Sequence, residues 1–541
     1  MTRSSVDQEG AVPRARHTGE TDVEGEPEGG RRDRRRNRGH EGRTEPGSPR
    51  PRRRILRWSA LTLAVVILGT AAAGYLYYEH LNANIQKDKL NLGDSDVPEA
   101  TPNAAGQTPL NVLLIGSDSR NSAKDLQLGG SKGDVGRAGL ADVQMLVHVS
   151  ADRTNMSVVS LPRDTMIPIP RCTDPHDGHK YPALSLAMSN ESLARGGPGC
   201  TVATWQSLTN IHIDHFMMVD FSGVVDMADA IGGVPVCVKQ NVWSHTSDGH
   251  GSGLKLKAGT TYVKGEQALQ WLRTRYGFED GSDLGRTHAQ HMYMSAMVRQ
   301  LRKNATLTNP GAMRGLAETA TKALKVDEGL GTIAKLYDLS EEFKKVPTKR
   351  ITMTTLPTVE WSQNRARLVP APGDADQLIS MVRDDTPLDG RGVKHKTEEQ
   401  PKTPTDPDGK IAVQVRNGTG SNDAAPTPQR ASGVVQILQG RGFTQATADT
   451  TPASESRTTV LYPSADLEGD AEAVAKALGI PLKQVRKSTD VSGVTLVVGA
   501  DWRTGTAYTA PTEPTKAPST AAVLPGDKKD ACMTVQKGFT W

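Results

Sequence analysis

Single aspartates and single arginines recur through the middle of this chain, each at the end of an apolar run. The first are Gly116-Ser117-Asp118-Ser119-Arg120, Ala141-Asp142 and Pro162-Arg163-Asp164. Further on come Arg273-Thr274-Arg275, Asp283-Leu284-Gly285-Arg286 and, one helical turn later, Gln290. Ends of buried strands are where an α/β sheet presents side chains to a ligand crevice. Two carboxylates with several arginines suit a metal-bound pyrophosphate, because Asp holds the ion and planar guanidinium forks meet the remaining phosphate charge. Asp118 and Asp142 are the expected ligands of Mg²⁺, with Mn²⁺ as the alternative ion. Arg120, Arg163, Arg275, Arg286 and Gln290 are the expected pyrophosphate-binding set. Arg163, Arg273, Arg275, Arg286 and Asp283 are the expected catalytic set.

The spacing supports this grouping. Arg286 and Gln290 are i,i+4 and share a helix face. Arg286 also lies near a helix N-terminus, where backbone dipoles favour phosphate. Arg273 and Arg275 reach one ligand only if their helix ends there, which Tyr276-Gly277 allows. Taken singly, an Asp after a strand caps a turn and an Arg is a solvated surface charge. The ordered set is what points to a site. Asp283 has two readings, an ion pair with a clamp arginine or a general base, and the nearby Arg favours the pair. His288 and His291 are i,i+3; without a third ligand, helix surface and core packing outweigh a metal pair.

These residues need a scaffold. Leu110–Ile115, Val143–Val149 and Met156–Leu161 are apolar runs that read as buried strands. His215–Val219, Val234–Val238 and Ile351–Thr355 are further strands, and Val202–Thr209, Ser222–Ile231, Gly265–Arg273, Arg286–Arg302, Ala312–Leu324 and Leu330–Val346 read as helices. The expected fold class is α/β, a mixed central sheet flanked by helices, over residues 109–384. Asn121–Leu140 is a Gly-rich connection longer than most in a compact domain, which marks a functional loop. A Pro-, Lys-, Asp- and Thr-rich linker at 385–409 leads to a smaller α/β unit at 410–502. Its strands are expected at Ile411–Val415, Thr458–Tyr462 and Val494–Val498, and its helices at Ala431–Leu438 and Ala471–Leu478. The Thr/Pro/Ala-rich segment 503–541 is expected to lack fixed structure. Every candidate site residue precedes Arg299, so the chemistry is expected wholly within the first domain.

At 541 residues the chain is long enough for two or three domains. Residues 1–57 are too rich in Arg, Gly, Glu and Pro to bury a core and read as a disordered tail. Trp58–Tyr78 contains no charged residue, and at 1.5 Å per residue it spans roughly 31 Å, the depth of a bilayer's hydrocarbon core. Arg52, Arg53, Arg54 and Arg57 precede it, so the expected topology is single-pass, with a cytoplasmic N-terminus and everything after Glu79 outside the cell membrane. A signal peptide cleaved after Ala71-Ala72-Ala73 is the rival; the long charged lead and the continuing apolar run favour an anchor. Residues 79–108 read as a polar stalk. The Arg-rich tail has no helix-turn-helix pattern, so no nucleic-acid partner is expected. Aromatic residues make up only 4% and advertise no large stacking platform. An exported domain permits disulfides. Cys172 and Cys200 lie in loop-like sequence and are the preferred pair, while Cys237 follows an apolar run and reads as a buried thiol. With Cys532, three pairings remain open.

The ordered motifs run from Leu110-Asn111-Val112-Leu113-Leu114-Ile115-Gly116-Ser117-Asp118-Ser119-Arg120 to Gln290. They include Ser160-Leu161-Pro162-Arg163-Asp164-Thr165, Ile213-Asp214-His215-Phe216, Val219-Asp220-Phe221, Asp229-Ala230-Ile231-Gly232-Gly233-Val234 and Gly265-Glu266-Gln267-Ala268-Leu269. Over roughly the middle half of the chain, this series resembles the LytR-CpsA-Psr family of cell-envelope phosphotransferases. The resemblance implies an Mg²⁺-dependent enzyme that moves a glycopolymer from a polyprenyl-pyrophosphate carrier to peptidoglycan. The polymer would be a teichoic acid, a capsular glycan or an arabinogalactan-like chain. It implies metal-ligating carboxylates at Asp118 and Asp142; the second motif usually reads Asp-Thr, and Asp142-Val143 keeps the carboxylate but loses a hydroxyl. In the implied reaction the C6 hydroxyl of N-acetylmuramic acid attacks the phosphorus that bears the sugar, and polyprenyl phosphate leaves. Val413-Gln414-Val415-Arg416-Asn417-Gly418-Thr419-Gly420, with Arg441-Gly442-Phe443, resembles the LytR C-terminal domain, although Ser421–Gln429 is longer and richer in Pro than usual. Two other classes stay open: a polyprenyl-pyrophosphate phosphatase with water as acceptor, and a non-enzymatic membrane-tethered envelope regulator.

Overall fold

The computed structural model describes residues 51–118, 139–304, 310–391 and 403–541, apart from 94, 96, 98, 101, 104–105, 250, 421–424, 456, 489–490, 512–513 and 528–530. The expected disordered tail, 1–57, lies outside the described residues up to residue 50, while 51–57 are helical rather than disordered; the clamp residue Arg120 and most of the Gly-rich loop also lie outside the described residues.

Helix α1 (Pro51–Asn84) carries the apolar run. Apolar side chains from Ile55 onward are exposed around the helix, with Leu61, Val65 and Leu68 at 60%, 61% and 69%. Such a surface calls for an apolar solvent. Among the described residues this is the one helix long and apolar enough to cross a membrane.

The first domain is built on an eight-stranded sheet. Its strands are β1 (Gln86–Asp88), β2 (Leu110–Ser117), β3 (Ala141–Val149), β4 (Met156–Ser160), β5 (His215–Val219), β6 (Leu324–Asp327), β7 (Ile351–Thr355) and β8 (Leu524–Pro525). They lie in the spatial order β1-β6-β5-β2-β3-β4-β7-β8. Strands β5 and β2 are parallel, β3 is antiparallel to β2 and β4, and β7 is parallel to β4. The C-terminal ends of β2 and β4 therefore meet the N-terminal end of β3 at one edge.

Helices cover both faces: α2 (Gly197–Thr209), α3 (Phe221–Ala230), α4 (Glu266–Arg273), α5 (Asp283–Asn304), α6 (Pro310–Ala323), α7 (Ile333–Lys345) and α8 (Asp374–Arg383). Successive residues of a strand point to opposite faces. Leu113 and Ile115 of β2 thus join Leu146, Val159, Phe216, Trp205 and Leu378 in a core beneath α2 and α8. Val112 joins Met145, Val147, Val158, Val326 and Leu339 beneath α7. Covering on both faces is why β2 to β4 read as continuous apolar runs. A third core gathers Val236, Trp271, Phe278, Met292 and Tyr293 around α4 and α5.

The second domain has a five-stranded sheet in the order Thr447–Asp449, Val413–Asn417, Val494–Val498, Thr459–Tyr462, Val485–Lys487. Two helices, Arg430–Gly440 and Glu468–Leu478, pack on it. Arg430 is buried, with its guanidinium 4.8 Å from the Trp502 ring centroid and Nε donating to the Trp502 carbonyl at 2.7 Å.

Three expectations change. The polar stalk is anchored: Leu81 and Ile85, one helical turn apart, are buried, and β1 pairs in parallel with β6. Residues 503–541, expected to lack structure, return to the first domain. There Ala521 enters the core beneath α2, β8 pairs with β7, and Met533 and Val535 are buried around Phe278. A few apolar residues in a Thr/Pro-rich stretch suffice once a preformed surface receives them. Cys237 is not a free thiol but is joined to Cys532, 295 residues away; the Met533 amide donates to the Cys237 carbonyl at 2.9 Å and sets the register. Cys172 is joined to Cys200.

Candidate active site

The site begins with a break in the β2–β3 ladder. Gly116 pairs with Val143 and Ser117 with Ala141, so Asp142 is an extra residue, a β-bulge at the strand end. Bulges re-aim a side chain, and here they turn a carboxylate out of the sheet. Gly116 is required by contact, since a Cβ there would lie 2.8 Å from the Val143 Cβ. The amides of Asp118 and Asp142 both donate to the Leu140 carbonyl at 3.1 Å, which brings the two aspartates into one turn. The Leu140 amide donates back to Asp118 Oδ1 at 2.5 Å, so this buried carboxylate also ties the end of β2 to the start of β3.

Arg163 follows β4. Its Nη1 donates to Asp142 Oδ1 at 3.1 Å, and its Nε lies 3.7 Å from Asp164. Burial works against the charge of this guanidinium, but the nearby Asp142, Asp164 and Asp283 outweigh burial and hold it firmly protonated. Asp283 and Arg286, on the first turn of α5, form a short ion pair. Burial is the largest influence on both. It pushes the Asp283 carboxyl up, with the Asp164 charge adding to the effect, and pulls the Arg286 guanidinium down despite its carboxylate partner. Asp142, Arg163, Asp283, Arg286 and Gln290 line one cleft of about 10 Å³, room for a single water. The charges therefore close on one another.

The remaining predicted residues are placed differently. Gln290 Nε2 donates to the Leu272 carbonyl at 3.2 Å and ties α5 to the end of α4. Arg275 is exposed; its Nε donates to the Gly281 carbonyl at 3.2 Å, and its charge helps to restrain the Asp283 carboxyl. Arg273 lies over the Phe221 ring at 4.7 Å, at the start of α3. The two histidines serve separate partners. His288 Nδ1 meets Glu279 at 2.5 Å, whereas His291 Nε2 shares a 2.5 Å hydrogen bond with the Ser160 hydroxyl. Burial, aided by the His288 charge, pulls His291 down to about 3, so it is neutral. Among the described residues no group of three His, Cys, Asp or Glu side chains is placed to hold a metal.

Sequence reasoning missed the supports. Buried Gln144 accepts from Trp205 Nε1 at 2.8 Å, and its amide lies 3.3 Å from Ser189. Ser189 donates to the Pro162 and Arg163 carbonyls at 3.1 Å and so fixes the turn that carries Arg163. A lone Gln within an apolar strand was the available signal, since a buried amide must find partners. Arg367, from the hairpin Thr358–Trp361/Asn364–Pro370, reaches Asp164 at 3.6 Å with no sequence signal at all.

The cell wall biosynthesis protein LcpA of Corynebacterium glutamicum is 27% identical over 461 residues, 79% of this chain and 81% of that protein. The polyisoprenyl-teichoic acid–peptidoglycan teichoic acid transferase TagU of Halalkalibacterium halodurans is 27% identical over 271 residues, 49% of this chain and 78% of that protein. Among solved structures, a LytR-Csp2A-Psr enzyme from Actinomyces oris aligns at 20% identity and a TM-score of 0.40, over 55% of this chain and 96% of that one. A model described as LytR cell envelope-related transcriptional attenuator matches residues 410–502. The model of the LytR_cpsA_psr family matches residues 75–381, more than half of the chain and every cleft residue named above, and the chain belongs to that family.

Proposed function

We propose that this chain is a membrane-anchored transferase that moves a glycopolymer from a polyprenyl-pyrophosphate carrier to peptidoglycan outside the cell. The observation that carries the reading is the interlocked cleft, in which Asp142–Arg163 and Asp283–Arg286 face each other at one sheet edge. The name of the similar transferase TagU supports the same substrate class. The arginines that precede the apolar run Trp58–Tyr78 support a cytoplasmic N-terminus; a reporter fused after Glu79 that is active only in the cytoplasm would reverse this topology.

A pyrophosphate offers Arg163 and Arg286 an acceptor as strong as the carboxylates they now hold, so binding exchanges one set of charge-assisted bonds for another. Asp118 and Asp142 form an oxygen-only pair within one turn, a donor set that fits Mg²⁺, which takes one or two carboxylates and leaves its other positions to waters and phosphate. Bound there, Mg²⁺ would neutralise phosphate charge. The acceptor sugar hydroxyl then forms a bond to the phosphorus that bears the glycan, and the bond to the polyprenyl phosphate breaks. As Arg286 turns to phosphate, buried Asp283 loses its partner and its affinity for a proton rises further. It is thereby suited to take the hydroxyl proton, while Arg163 and Arg275 meet charge on the departing phosphate. Catalysis is positioning plus charge neutralisation.

The test uses the full chain in detergent, a polyprenyl-pyrophosphate glycan and peptidoglycan. Polyprenyl phosphate release with glycan attached to peptidoglycan is expected. Release without attachment would instead identify a phosphatase, and no release would remove both enzyme readings.

A further inference from the structure

The loop that joins the two halves of the proposed arginine clamp is held by a segment some 250 residues further along. Arg275 stands at one end of residues 276–282, and Asp283 with Arg286 begins at the other. This turn contains Glu279 with a φ of 46°, a left-handed conformation that side chains avoid and that surrounding contacts must maintain. Those contacts come from residues 534–536. Phe278 and Val535 form an antiparallel bridge, and the Glu279 amide donates to the Thr534 carbonyl at 2.9 Å.

Gln536 does most of the holding. Its backbone amide donates to the Gly277 carbonyl at 3.0 Å. Its side-chain Oε1 accepts from the Gly277 amide at 2.9 Å, 259 residues away in sequence. Its Nε2 reaches the Asp280 carbonyl at 3.4 Å. The amide lies flat against Gly281, where an added Cβ would come within 2.6 Å of Nε2 and where φ is +79°. The Gly281 carbonyl in turn accepts from Arg275 Nε at 3.2 Å. A continuous path of contacts thus runs from Gln536 through Gly277 and Gly281 to Arg275. Beside it the Cys237–Cys532 bond pins the segment to the first domain, and Phe539 stacks on Tyr276 with centroids 6.4 Å apart.

We infer that Gln536 is a positioning residue for the phosphate-binding arginines: it fixes the 277–281 turn and, through the Gly281 carbonyl, the direction of the Arg275 guanidinium. The inference rests on the proposed function for the identity of the ligand. It adds a contribution from beyond residue 384 to a site whose chemistry was expected wholly within residues 109–384.

Calorimetric binding of inorganic pyrophosphate to the full chain tests it. Gln536→Ala is expected to bind about ten-fold more weakly, with its melting temperature within a few degrees of the parent. In an Arg275→Ala background the same change is expected to cost nothing further, because the path ends at Arg275. Lys537→Ala, the exposed neighbour, is expected to bind normally. Where Ala destabilises the fold, Gln536→Asn withdraws the amide by one methylene and tests the same point. Unchanged binding in folded Gln536 variants, or an equal loss in both backgrounds, overturns the inference while the proposed function stands. A parent chain that does not bind pyrophosphate sinks the proposed function and this inference with it.

Discussion

Arg163 and Asp142, 21 residues apart, are joined at 3.1 Å across the ends of β3 and β4. The bulge turns the carboxylate outward, Ser189 holds the arginine turn, and each charge is the other's partner until a ligand displaces one of them. In the proposed function Arg163 trades this carboxylate for a phosphate, and the planar fork of its guanidinium is the feature to test.

Lys keeps the charge of Arg but not its bidentate geometry. Arg163→Lys and Arg286→Lys should therefore weaken transfer almost as much as the Ala variants. One charge-assisted bond contributes roughly 1.5–3 kcal/mol, or about ten- to a hundred-fold in turnover. Steady-state kinetics on the carrier-linked glycan decide the point. Lys variants that work at the parent rate would reduce these arginines to background potential.

The two aspartates should separate into different roles. Asp118→Ala orphans the Leu140 amide and should lower stability by about 1–3 kcal/mol in urea titrations, besides lowering Mg²⁺-dependent turnover. Asp142→Asn keeps the size of the side chain and should leave stability nearly unchanged while turnover collapses. Equal destabilisation by both, with turnover intact, would place the metal elsewhere.

His291 makes the fold acid-sensitive. The unfolded chain protonates this residue near pH 6.5, the folded chain only at about 3. Between those values the unfolded state binds more protons, so stability rises with pH and is lost on acidification from about 6.5 toward 3. At about 1.4 kcal/mol per unit the loss amounts to a few kcal/mol. His291→Gln, which still can pair with Ser160, should flatten the stability slope between pH 4.5 and 7. An identical slope in parent and variant would show that other groups govern acid lability.

Reduction should loosen the chain in an ordered way. The Cys237–Cys532 bond closes a loop of 295 residues, and its loss should cost on the order of 2–5 kcal/mol, more than the bond between Cys172 and Cys200 across 28. Scanning calorimetry of Cys237→Ser/Cys532→Ser and Cys172→Ser/Cys200→Ser chains compares them directly. A smaller effect for the longer loop would show that the C-terminal segment stays docked without its bond.

Much of this was legible before any fold was known, for a physical reason. The apolar runs at Leu110, Val143 and Met156 are strands because both sheet faces are covered, and their boundaries follow from the Gly, Asp and Pro that end them. Asp142 and Arg163 at strand ends, and Asp283, Arg286 and Gln290 within two turns of one helix, could thus be named as candidates, and they line one cleft. Local periodicity and chain punctuation carry that information.

Other features are properties of packing at long range, to which periodicity is blind. Gln144 in β3 looks like an interruption until Trp205 and Ser189 reach it from other elements. The pairing of Cys237 with Cys532, the approach of Arg367 to Asp164, and the return of Gln536 to the Gly277 turn depend on surfaces that exist only once the first domain has folded. The chain's own order of residues determined the strands, the apolar N-terminal helix and the roster of charges. Tertiary structure alone decided which charges meet and which distant segment holds them, because those contacts join residues that no local pattern relates.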